Sequence, residues 1–132
     1  MPILSKADIL GANDLQIETV DVPEWGGSVI VRAMTGAQRD AYDAALLRRN
    51  DEGKLEVDTL NMRAKLVMWT VVDESGALLF TPDELDALAA KSAGAIERIA
   101  EAAARLNGLH RSAVADAAKN SASDPADSSS SV

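Results

Sequence analysis

The chain loses the ability to fold before it ends. From Lys119 to Val132 it reads KNSASDPADSSSSV, and the only apolar residues there are two alanines and the terminal valine. Such a segment cannot bury enough surface to offset the roughly 1–2 kcal/mol per residue that ordering a backbone costs. The sequence therefore predicts one folded domain over residues 1–119 and a disordered Ser/Asp-rich tail over 120–132. Apolar residues make up 47% of the chain but aromatics only 3%. Alanine carries much of the apolar count, which predicts a thin core of Ala, Leu, Val and Ile and favours helices, since alanine has the best helix propensity.

Local signals mark most elements. Ser5 with Asp8 three residues on predicts a short capped helix that Gly11 stops. Ile17–Val22 and Ser28–Met34 are β-rich runs separated by Pro23-Glu-Trp-Gly-Gly27, which reads as a hairpin. Two strands alone are marginal in water, so the hairpin must lean on helices or on another copy. Thr35 caps a helix expected to run to about Asn50, and Asn50–Lys54 is a polar break. Asp58 is expected to start a third helix, apolar almost all round from Ala64, whose Val71-Val72 end leans toward strand, helix against extended chain being open there. Asp73–Gly76 is a turn and Ala77–Phe80 a short extended run. Thr81-Pro-Asp-Glu84 has the form of a capping box with proline at the first helical position and opens a helix to about Lys91. Ser92 caps another that Gly108 ends, and residues 110–119 are expected to form a last, weakly amphipathic helix. The fold class is thus α+β, mostly α-helical, with an N-terminal two-stranded hairpin on four to five helices. Trp69, Leu66, Val72, Leu85, Leu88, Ile96, Ile99 and Leu106 are the expected core.

Catalytic chemistry finds no foothold in these residues. The chain has no cysteine, which removes disulfides, thiolate nucleophiles and Cys-based zinc sites. The single histidine, His110, has no nucleophile or acid specified beside it. Asp83, Glu84 and Asp86 sit in a first helical turn, where acids complement the helix dipole. Asp73–Gly76 resembles a calcium loop only until Leu78 and Phe80 fill the remaining ligand positions. Gly26-Gly27 lacks the spacing of a phosphate cradle. Arg48-Arg49, Arg63 and Lys65 read as ordinary helix-face charges. The expectation is a protein that is not an enzyme and that needs no metal or cofactor. The net charge of −8 argues against nucleic acid and anionic membranes as partners, because phosphate contacts need clustered cations. No apolar stretch approaches the ~20 residues of a membrane span.

Partner binding is the remaining class. Trp25 stands at the hairpin tip, either folded back on the core or exposed as an anchor of the kind that dominates interface hot spots. Trp25, with Val29, Val31 and Met34 on the second strand, is the candidate partner-binding set. Uncovered hairpin edges invite pairing with another strand. The tail is a third candidate, or a plain solubilising extension.

The order of elements and two stretches resemble a known family. "VPEWGG–V–VR–MTG–RD" and "VDE–G–LF–DE…L..KSA.A..RI…A..LNGL", within a similarity spanning residues 1–120, are similar to the tail assembly chaperones of long-tailed (siphovirus-like) bacteriophages. The resemblance implies a non-enzymatic protein that binds the tape measure protein and helps subunits of the major tail tube protein assemble around it. It also implies a site of action in the host cell cytoplasm and absence from the mature virion. A longer form made by programmed frameshift near Ala118-Lys119-Asn120 belongs to the same picture, as does a weak homo-oligomer that coats a long partner in several copies. The family has no catalytic residues to carry over, and Pro23, Gly26, Gly27, Gly36 and Gly76 read as turn or cap residues. A minor tail or head–tail joining protein retained in the virion is the alternative that the same acidic composition allows.

Overall fold

A computed structural model describes residues 1–109. The fold is α+β. β1 (Ile17–Val22) and β2 (Gly27–Arg32) form the expected antiparallel hairpin, in register from Ile17 opposite Arg32 to Val22 opposite Gly27. A 3₁₀ turn, Pro23–Trp25, fills its tip, and Gly26 leaves that turn with φ of 71°, a conformation glycine adopts without steric cost. α5 (Ala93–Leu106) packs against both strands, and α3 (Met62–Thr70) packs on α5. α2 (Gly36–Ala45) and α4 (Leu85–Ala89) each pack against α3. The helix-spaced apolar face of α5 contributes Ala95, Ile96, Ile99, Ala100, Ala102 and Ala103 to the core. Alanine at so many of these positions lets α5 lie close to the sheet.

Two helix boundaries are corrected, and the open end at Val71-Val72 proves to be the strand toward which it leaned. The helix after Thr35 ends at Ala45, not near Asn50, because Leu47–Arg49 is a strand, β3, paired with β4 (Leu55–Val57). The polar break between them is a side-chain-held turn: Asn50 Oδ1 accepts from the backbone N–H of Glu52 and of Lys54 at 2.9 and 3.0 Å, and Gly53 takes φ of 79°. The third helix begins at Met62, behind Asn61 in the left-handed region, rather than at Asp58. It ends at Thr70, and Val71-Val72 is β5, which pairs with Val31 and Ile30. The β-branched run Thr70-Val71-Val72 favours extended chain, and β2 supplies the ladder partners. Among the described residues the main sheet therefore has three strands, in the order β1-β2-β5.

Leu66, Val72, Leu88, Ile96 and Ile99 are buried as expected. Trp69, Leu85 and Leu106 are only partly buried and pack against the edge of the core. Lys65 is no ordinary surface charge: it is 8% exposed, and its ammonium donates to the Ala45 carbonyl at 2.9 Å. The expected helix over 110–119, the tail over 120–132 and His110 lie outside the described residues.

α1 (Lys6–Leu10) forms where Ser5 and Asp8 announce it, with the box hydrogen bonds at 3.0 and 3.1 Å. It buries no residue against the rest of the chain.

Candidate partner-binding site

The quoted sequence stretches meet in space. The Glu24 carboxylate, in the Pro-Glu-Trp turn, accepts from the Arg98 guanidinium of α5 at 3.0 Å. That hydrogen bond, with Glu24's own backbone N–H, holds its carboxyl below the usual carboxylate range. Arg32 at the end of β2 donates to the Gly76 carbonyl at 2.6 Å. The Met34 N–H donates to Asn107 Oδ1 at 2.7 Å, and Asn107 Nδ2 donates back to the Ala103 carbonyl at 2.8 Å. The turn and the chain after β2 are thus tied to the middle and to the C-terminal end of α5.

The tie at Glu24 sets the position of Trp25. Trp25 is 38% exposed and lines an apolar pocket of about 350 Å³ with Phe80, Ala87 and Leu88, rimmed by Glu84 and Lys91. Trp25 is therefore neither sealed in the core nor splayed into solvent. The Glu84 rim is itself held, since its carboxylate accepts both the backbone N–H and the hydroxyl of Thr81, at 2.9 and 3.2 Å. Of the other candidate residues, Val29 is half-buried against the core. Val31 and Met34 are 0% and 8% exposed, so neither has surface to offer a partner; β2 lies between β1 and β5, and the face that carries Val31 packs inward.

A second concavity, which sequence reasoning missed, runs between α3 and α5. It encloses about 800 Å³ and is lined by Tyr42, Met62, Leu66, Ile96, Ala100 and Leu109, among others. Burial raises the Tyr42 phenol above its ordinary value, with Asp43 adding to the effect. Leu109 reaches the groove through a helix stop at Gly108, φ 67°. There Leu109 N–H bonds back to Ala104 O at 2.7 Å and Gly108 N–H to Arg105 O at 3.4 Å, the double bond pattern of a Schellman turn. The LNGL spelling was the available signal, but sequence alone does not say which surface the turned chain meets.

Both concavities are lined mainly by apolar side chains, with charged residues at the rim. Among the described residues no cluster of three or more His, Cys, Asp or Glu could hold a metal, and no helix is long and apolar enough to cross a membrane. No curated protein matches the chain. The solved structure of the bacteriophage HK97 tail assembly chaperone is similar to it with a TM-score of 0.53 at 20% identity, over 72% of this chain and 84% of that one. At that identity the likeness speaks to the fold. The family is shown independently, because residues 10–121 match the phage tail assembly chaperones. The chain belongs to the phage tail assembly chaperone family.

Proposed function

We propose that this protein acts without catalysis as a chaperone of tail morphogenesis, binding the tape measure protein and bringing tail tube subunits to it. Trp25 over its apolar pocket is the observation that carries the proposal. A half-exposed tryptophan, held by an ion-paired turn beside Phe80 and Leu88, has the character of an interface hot spot. An apolar stripe of a helical tape measure segment would place one side chain in that pocket. The protein works in the infected cell and leaves before the virion is complete. A longer form made by frameshifting near Ala118–Asn120 shares the same folded body; the nucleotide sequence of those codons tests that part, and a non-repetitive coding there removes it.

Co-expression with tagged tape measure protein, followed by pull-down, tests the main claim. The native chain should be recovered with the tape measure protein and be missing from purified virions. Trp25→Ala should weaken recovery by about 30-fold, the effect of losing ~2 kcal/mol at a hot spot, while its melting curve stays close to native. Recovery of no tail protein would sink the proposal. Detection of the chain in virions would favour a minor tail or head–tail joining component.

A further inference from the structure

The Trp25 pocket and the groove between α3 and α5 adjoin. Leu88 lines the first and Ala89 the second, and Lys91 lines both. The chain from α4 to α5 is therefore a ridge between two apolar concavities, and Lys91 stands on it. The other charges along this surface are already engaged. Glu84 is held by Thr81, and Arg63 stands 4.0 Å from Glu97. Glu101 acts on Arg98. Glu24, whose carboxylate lies beside Gly94, is held by Arg98 at 3.0 Å. Lys91 is exposed, and its ammonium meets no acceptor among the described residues. α4 ends two residues earlier and, at five residues, has only a weak dipole for that cation to answer. Ser92, the next residue, caps α5, whose first turn carries no acid, so the positive end of that helix adds to the ammonium. The uncompensated charge on the ridge is thus positive, in a chain whose net charge is −8.

We infer that this ridge and its two concavities bind one helical segment of a partner protein, a segment that carries an acidic side chain between two apolar ones on a single face. This deepens, and rests on, the reading of the Trp25 pocket as a partner site. Lys91 takes the acid. The pocket of Trp25 and Phe80 takes the apolar side chain on one flank, and the α3–α5 groove takes the one on the other. Positions i, i+3 or i+4, and i+7 lie along one face of a helix. Residues i and i+7 are about 10 Å apart along its axis, so two concavities that share a lining residue are within reach of one segment. Each acid beyond the first would meet the repulsion of a −8 chain, so the favoured segment is not acidic overall. A cation in the acid's place would bring two positive charges together beside apolar contacts, which selects against it. The apolar anchors supply affinity, and Lys91 supplies the choice among apolar helices.

Selection from a library of displayed helical peptides, with the full native chain as bait, tests this. Recovered peptides should carry Asp or Glu with a large apolar residue three or four positions away on each side. Lys91→Glu changes an exposed side chain, so its melting curve should be native, and it should recover peptides with Lys or Arg in the acid's place. A recovered acidic peptide, labelled and titrated, should bind Lys91→Glu about fivefold more weakly than the native chain. Trp25→Ala should also weaken it, by removing a wall of one concavity. Ala93→Gln should do the same by laying a polar side chain over the other; Ala93 lines the α3–α5 groove yet is exposed at the start of α5. Recovery of no peptide, of apolar peptides without a preferred acid, or of the same acidic peptides by both chains would overturn the inference. So would unchanged binding to Trp25→Ala or to Ala93→Gln. The library holds no tail protein, so its result is separate from the tape measure pull-down. Tape measure protein recovered equally by the native and Lys91→Glu chains would overturn the inference and leave the proposed function standing. Selection of acidic peptides with no tape measure protein recovered would do the reverse.

Discussion

A buried charge has to be answered by its surroundings, and Lys65 shows how. Its stem lies in the core while its ammonium meets the Ala45 carbonyl at 2.9 Å and stands 3.7 Å from Asp58 Oδ2. Ala45 is the last residue of α2, so the cation faces the negative end of that helix and joins it to α3. Lys65→Met keeps the stem but leaves the carbonyl and the carboxylate without their partner. It should cost about 1–3 kcal/mol in urea unfolding; a loss under about 0.5 kcal/mol would mean that water takes over both contacts. Sequence reasoning saw only a helix-face charge, because the fact that singles Lys65 out is the carbonyl twenty positions earlier in the chain. Trp25, by contrast, was visible as one of two alternatives, and its observed half-exposure falls between them. Val31 and Met34 looked like Val29 because all lie in one apolar run; Val29 and Val31 share a face of β2, and Val29 keeps some exposure because it lies nearer the hairpin tip.

The elements that were legible are those with local chemistry. The box at Ser5–Asp8 forms, the cap at Thr35 forms and is completed by Gln38 into a box with two 3.0 Å bonds, and Ser92 caps α5. These bonds span three residues, so the sequence window contains the whole cause. β3 and β4 were not legible because three-residue strands exist only through their partners; the lean of Val71-Val72 toward strand was legible, but not the pairing of β5 with residues some forty positions earlier. Long-range ties at element ends are equally invisible in a short window. The bond from Met34 N–H to Asn107 is such a tie, joining the end of α5 to the chain after β2. Asn107→Ala should speed hydrogen exchange at the Met34 amide and lower stability by about 1 kcal/mol. An unchanged Met34 exchange rate would show that the asparagine does not hold that strand end.

At the scale of the whole molecule, acid should be the sensitive direction. Asp8, Glu24 and Asp73 are all held below their ordinary values, chiefly by hydrogen bonds from Ser5, Arg98 and Ser75 respectively. Groups depressed in the folded state add stability that is complete above their unfolded values and is lost as pH falls through the folded ones. Melting temperature should therefore hold between pH 7 and about 5 and fall below about 4. Protonation also relieves the self-repulsion of a −8 chain, so the informative comparison is with Glu24→Gln. Its decline below pH 4 should be shallower than native, and parallel curves would count against the Glu24–Arg98 tie. The reversed exit at Gly108 has a further consequence. It folds Leu109 back against the groove between α3 and α5, so one wall of that concavity hangs on a single glycine in the left-handed region.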